Sequence, residues 1–242
     1  MGGRRPARFL ESGLVPDRLT LVFDADDTLW ENNVLFERAF AAFREWLAHP
    51  TLDELAIRAV LHEVERATVV THGYGTRGFL HALQVVFERL RERSATVEEV
   101  ERIHGFGEAM LRGDLELVPG GVETLSELHT RHDLLMLTKG DVEEQQRKIE
   151  SSALAPFFRD IHIVPDKDPD TYRKLVADHD LDPARSWMIG NSPRSDILPA
   201  RAAGMNAVYI PNANTWELEL AHLPHDDGVL HLSALTELPQ HF

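Results

Sequence analysis

Not one of the 242 residues is a cysteine, which excludes disulfides and thiolate chemistry and restricts any metal site to oxygen or imidazole ligands. Lysine is scarce; the chain holds four, at 139, 148, 167 and 174. Basic residues number 25 against 40 acidic ones, a formal net charge of −15. No basic stripe offsets that charge, so a nucleic acid polymer would be repelled. A small anion is still admissible, because a few cations and backbone N–H groups can override the mean field inside a pocket. Long apolar runs are missing as well. Leu19 to Phe23 and Leu134 to Leu137 fall far short of the ~20 residues needed to cross a bilayer, and no membrane association is expected. Met1 to Arg8 carries arginine without a following apolar stretch, so residues 1–17 are expected to form an N-terminal arm rather than a signal peptide, in a cytoplasmic protein. No internal repeat or low-complexity segment interrupts the chain.

What is present is an ordinary globular composition, with 43% hydrophobic residues, and enough chain for a core domain plus a smaller one. Leu19-Thr20-Leu21-Val22-Phe23 reads as a short buried strand. Its near-continuous apolar character is what a parallel strand covered by helices on both faces shows. Leu134 to Leu137, Ile161 to Val164, Trp187 to Ile189 and Ala207 to Ile210 look alike. Helical patterns alternate with them at about Gly121 to His129, Val142 to Ser151, Asp170 to Asp178 and Ser195 to Ala203. The stretch from about 117 to 211 therefore reads as βαβ units on a parallel sheet, an α/β Rossmann-like core. Leu35 to Arg112 differs: apolar residues recur at helical spacing over Leu35 to Trp46, Leu52 to Val64, Phe79 to Leu90 and Val97 to Leu111, with breaks at Pro50 and Gly73-Tyr74-Gly75. About 80 helical residues exceed one crossover. They are expected to form an all-helical domain, 34–115, inserted into a core made of 18–33 and 116–242.

The strongest chemical signal is Phe23-Asp24-Ala25-Asp26-Asp27-Thr28-Leu29-Trp30. Asp24 and Asp26 fall at the C-terminal end of the first strand, where ligands bind in open α/β sheets. Neighbouring carboxylates repel unless a cation or shared proton intervenes, and a magnesium ion with hard oxygen ligands satisfies that need. Asp24 is then placed to attack phosphorus, and Asp26 to protonate the leaving oxygen and later activate water. An acidic turn that merely caps the next helix would use the same residues. Thr138, closing the second core strand, offers a hydroxyl to phosphoryl oxygens or a simple turn. Lys167, in Pro165-Asp166-Lys167-Asp168-Pro169, is either a surface ion pair or the counterion of Asp24. Gly190-Asn191-Ser192-Pro193-Arg194-Ser195-Asp196 offers oxygens at a helix start. Taken together, Asp24, Asp26, Thr138, Lys167 and Asp196 follow four successive strands, whose ends converge in a parallel sheet.

These motifs resemble those of the haloacid dehalogenase superfamily over about residues 18 to 211. The resemblance implies Asp24 as nucleophile, Asp26 as general acid/base, Thr138 orienting the phosphoryl group, and Lys167 neutralising nucleophile and phosphate. It further implies magnesium held by Asp24, the backbone carbonyl of Asp26, and the Gly190 to Asp196 motif through Asp196 and Asn191. It also implies that the helical insert is a cap that closes over the core. Two positions depart from the family pattern: Asn191 stands where Gly-Asp is common, and Asp27 where many relatives have glycine.

Among the reactions of that superfamily, Asp26 argues for an oxygen leaving group, since a halide needs no proton. The insert contains no lysine for Schiff-base chemistry. The reading is a magnesium-dependent hydrolase of a small phosphorylated metabolite, with a sugar phosphomutase or a non-catalytic magnesium- and phosphate-binding module as alternatives. Arg77, in the glycine-rich Gly73 to Gly78 loop, Lys139 and Trp30 are candidate substrate contacts. Arg77 could equally belong to a solvent-facing loop, and Trp30 to packing between core and cap. Phe43, Trp46, Phe79 and Phe87 are expected to form the cap's own core. His72 and His162 read as isolated.

Overall fold

Side chains alternate across the short strand β1 (Thr20–Phe23), sending Leu21 and Phe23 to one face and Val22 to the other, and all three are fully buried. A strand that must be apolar on both faces belongs at the centre of a covered sheet. The computed structural model, which describes residues 18–113, 115–223 and 225–242, places it there. The expected arm over 1–17 lies outside the described residues. β2 (Trp30–Glu31) and β3 (Glu116–Leu117) form a two-stranded antiparallel ribbon. The other strands are β4 (Asp133–Lys139), β5 (Asp160–Val164), β6 (Ser186–Gly190), β7 (Asn206–Tyr209) and β8 (Val229–His231). With β1 they make a six-stranded, all-parallel sheet in the order β5-β4-β1-β6-β7-β8.

The order reverses direction at β1, so chain connections diverge there and leave a crevice beyond its C-terminal end. One face of the sheet packs Leu134, Met136 and Ile189 with Leu21 and Phe23; the other packs Leu135, Leu137 and Met188 with Val22. The ribbon β2–β3 and the strand β8 were not expected from the sequence. Two or three residues are too few for an alternating pattern to register.

Among the described residues, five helices run between β2 and β3: α1 (Asn33–Leu47), α2 (Glu54–His72), α3 (Thr76–Arg91), α4 (Val97–Gly105) and α5 (Glu108–Arg112). The stretch Val97 to Leu111, read as one helical run, is two. Gly107 lies so close to Leu80 that a Cβ there would come within 2.7 Å of its side chain, and the chain breaks at that approach. Asp53 caps α2, and Thr96 with Glu99 forms a capping box on α4. These helices enclose an apolar cluster of their own containing Phe43, Leu47, Phe79, Leu83, Val86, Phe87 and Ile103, with Trp46 stacked on Phe87 at 5.0 Å. The rest of the core is helical as expected: α6 (Gly121–Arg131), α7 (Val142–Ser152), α8 (Pro169–Asp178) and α9 (Leu198–Ala202), the last entered through a wide π turn over Pro193–Ile197. No helix among the described residues is long and apolar enough to cross a membrane.

Candidate active site

The C-terminal ends of β1, β4 and β6 deliver Asp24, Thr138 and Asn191 to one crevice, roofed by α1, α2 and the start of α3. The cavity there, about 1170 Å³ including its open mouth, is lined by Asp24, Asp26, Thr138, Lys139, Lys167, Asn191 and Asp196. Asp24 is buried; one carboxylate oxygen accepts from Lys167 Nζ at 2.5 Å and the other from Thr28 Oγ1 at 2.9 Å. Lys167 Nζ also donates to Asp196 Oδ1 at 2.8 Å, and its side chain is 1% exposed. It therefore belongs to no surface pair. Asp196 leans on Gly190: a Cβ there would lie 2.2 Å from Asp196 Oδ2, so only glycine lets this carboxylate reach the site.

Two buried carboxylates thus share one ammonium. Burial, and then the charge of Asp196, push the Asp24 carboxyl up to about 7 although Lys167 pulls it down. Burial disfavours the Lys167 charge, but Asp196 and Asp24 outweigh it and hold that ammonium above the ordinary lysine range. Thr138 Oγ1 is buried, with no hydrogen-bond partner among the described residues. Such an orphaned hydroxyl, facing the cavity beside Asp24, is free to bond to a ligand oxygen.

Asp26 is gripped by three donors: Trp30 Nε1 at 2.6 Å, Gln145 Nε2 at 2.7 Å, and Lys148 Nζ at 3.1 Å to each oxygen. Lys148 also donates to Asn32 Oδ1 at 2.8 Å and pairs with Glu144 at 3.5 Å. Glu144 in turn accepts from the backbone N–H and hydroxyl of Thr76, both at 2.9 Å, at the first turn of α3. A buried polar chain therefore runs from the helical roof to Asp26. Gln145, Lys148 and Glu144 all lie on α7 at one- to four-residue spacing, and the sequence reading did not select them. The available signal was three polar residues on one helix face following a strand.

Trp30 lies beneath the site rather than in its wall; it is fully buried in the sheet's core cluster and orients Asp26. Asp27 has φ of 62°, the left-handed region where glycine is favoured, and its Oδ1 accepts from the N–H groups of Asn32 and Asn33 at 2.9 Å. It caps α1 and fixes the turn. Lys139 lines the cavity, but its ammonium is already engaged by Glu219 at 2.5 Å, Ser195 at 2.7 Å and the face of Tyr74 at 4.1 Å. Arg77 corrects an expectation. Its side chain is 72% exposed beside Glu143 and lies outside the cavity lining, because the first turn of α3 directs Gly75 inward and Arg77 out.

The model of the haloacid dehalogenase-like hydrolase family matches residues 19–204. The chain belongs to that family. Among relatives, it is 29% identical over 187 residues to a phosphoserine phosphatase of Thermus thermophilus, covering 72% of both chains. A glyceraldehyde 3-phosphate phosphatase of Pyrococcus furiosus is 30% identical over 132 residues, 52% of this chain and 53% of the relative, so the match spans about half of that protein. The crystal structure of a haloacid dehalogenase-like family hydrolase from Xanthomonas campestris superposes with a TM-score of 0.81 at 29% identity, covering 93% of this chain and 90% of the other.

In this family member the roof of the cavity is mixed in character. Phe36, Phe40, Leu61 and Phe79 supply apolar wall, while Arg58 pairs with Glu37 at 2.7 Å and His62 pairs with Glu217. Glu65 sits among them, accepting from Trp216 Nε1 at 3.2 Å. Burial pushes its carboxyl up to about 7, the Trp216 bond opposing only in part. Because the folded value lies above the unfolded one, near 4.5, this group's contribution to stability is complete below pH 4.5 and disappears as the pH rises through 7. Glu65→Gln should therefore flatten part of the stability loss between those pH values and melt higher than the parent at pH 8. Thermal unfolding across that range checks it; an unchanged profile would mean that Glu65 is ionised throughout.

Proposed function

We propose that this hydrolase cleaves the phosphate monoester of a small metabolite through a phosphoryl-aspartate on Asp24. The observation that carries the reading is Asp26, a second carboxylate clamped by three donors in the same crevice. A halide leaves without a proton, whereas an alkoxide needs one. Asp24 attacks phosphorus and the P–O bond to the leaving group breaks; Asp26 delivers a proton to the departing oxygen. Asp26 then takes a proton from water as the water attacks the phosphoryl-aspartate, releasing inorganic phosphate and restoring Asp24. The Lys167 ammonium holds Asp24 and a phosphoryl oxygen, and the unpartnered Thr138 hydroxyl donates to another.

The donor set fits a divalent cation. Asp24 and Asp196 are buried with a single ammonium between them, so two carboxyl groups and one cation share the pocket, with oxygen donors left for a second cation. Asp24, Asp196, the Asn191 amide oxygen and the main-chain carbonyl of Asp26 would hold magnesium. When bound, it supplies a Lewis acid against the phosphoryl charge. The Thermus and Pyrococcus relatives carry the names of phosphatases of small phosphorylated metabolites, which supports the same class of substrate here.

A panel of phosphate esters assayed with magnesium for phosphate release tests the proposal; failure on every ester by a folded, magnesium-loaded protein would sink it. Turnover should vanish in chelator and return with magnesium. Asn191→Asp should lower the magnesium concentration that gives half-maximal rate, since a carboxylate replaces an amide beside the cation. An unchanged or higher requirement would place Asn191 outside the metal's electrostatic reach.

A further inference from the structure

On the far edge of the sheet, away from the crevice, Asp160 and His162 stand two residues apart on β5 and so share a face, and His179 meets them from the C-terminus of α8. His162 is thus not isolated. Its Nε2 lies 2.7 Å from His179 Nε2, and Asp160 Oδ2 lies 3.7 Å from the first imidazole and 3.6 Å from the second. The circle through these three atoms has a radius of about 2.0 Å, the length of a Zn–N or Zn–O bond. The second Asp160 oxygen is occupied, accepting from the N–H of Ile161 at 2.8 Å, which turns Oδ2 toward the two rings. We propose that Asp160, His162 and His179 bind a borderline divalent cation such as zinc, with the fourth position open to solvent. Imidazole donors select zinc, cobalt or nickel over magnesium, so this site is separate in chemistry as well as in place from the catalytic one.

The surroundings allow it. Two cations stand nearby, and each already faces a carboxylate outside the site: Lys174 pairs with Asp178 at 2.5 Å, and Arg159 lies 3.4 Å from Asp133, which it shares with Arg18. Arg159 also donates to His179 Nδ1 at 3.3 Å. With a cation on its Nε2, His179 would carry its proton on Nδ1, so the Arg159 contact would open and leave Arg159 with Asp133. The ion would tie β5, the edge strand among the described residues, to α8.

The test is cobalt(II) titration of the full chain in excess magnesium. One equivalent should bind with the strong visible absorption of a four-coordinate site, and zinc should displace it. His162→Ala and His179→Ala should each weaken cobalt binding at least tenfold. Asp160→Asn, at an exposed side chain whose loss leaves the fold intact by circular dichroism, should weaken it too, while phosphatase turnover in all three stays at the parent level. Weak six-coordinate absorption alone, or equal binding by parent and the Asp160 variant, would overturn the site.

Discussion

Asp24→Asn should show neither turnover nor a burst of leaving group, whereas Asp26→Asn should give a burst of one equivalent from an aryl phosphate and then almost nothing. An amide at 24 is too poor a nucleophile to attack phosphorus. Loss of Asp26 removes proton transfer, a cost typically about 100- to 10,000-fold. An aryl oxide leaves as a fairly stable anion, so the first step survives; the water of the second step still lacks its base. With an alkyl ester, which needs the proton, the burst should disappear. Rapid quench with both esters decides the roles. A burst from Asp24→Asn would show that another group is the nucleophile. The three donors around Asp26 sharpen the expectation, because asparagine can still accept from Trp30 and Lys148 and hold the loop in place.

Lys167→Met should cost about 3–5 kcal/mol of stability at pH 8, the usual consequence of removing one partner of a buried ion pair, and a melting temperature on the order of 10 °C. It should also abolish turnover. Asp24 and Asp196, 9% and 1% exposed in their side chains, would be left facing one another without their shared ammonium. The sign with pH follows. The Asp24 carboxyl would be forced further above its unfolded value, so the variant binds more protons folded than unfolded and gains stability as the pH falls. The gap from the parent should narrow at pH 5, and narrow at pH 8 when magnesium is added. Urea unfolding at the two pH values, with and without magnesium, measures this. Parent-like stability at pH 8 would mean that the ammonium does not carry the balance of the site.

How far the site was legible depended on the type of residue. Asp24, Thr138, Asn191 and Asp196 could be located because each follows an apolar run recognisable as a strand, and parallel strands bring their C-terminal ends together. Asp27 was named as a departure, but its φ of 62° and its bonds to Asn32 and Asn33, which explain why glycine suits that position, belong to the folded turn. Lys148 was visible only as one of four lysines. A lysine on an amphipathic helix has no sequence mark that separates a solvent-facing ammonium from one buried against Asp26 and Glu144. Arg77 failed for the converse reason: glycines around it signalled a loop near the cavity, but not which side chains of that loop turn inward.

The sequence by itself determined the alternation of strands and helices, the helical insert and the aspartate pair, because hydrophobic period and strand-end position are local properties of the chain. Tertiary structure alone decided which polar groups meet. Glu65 and Trp216, Lys139 and Glu219, Thr76 and Glu144, and His162 and His179 are separated by 151, 80, 68 and 17 residues. A charged or polar side chain carries no periodic signal for so distant a partner. Its pairing is set only when burial of the apolar faces brings the elements together and leaves each desolvated polar group needing a counterpart within hydrogen-bond reach.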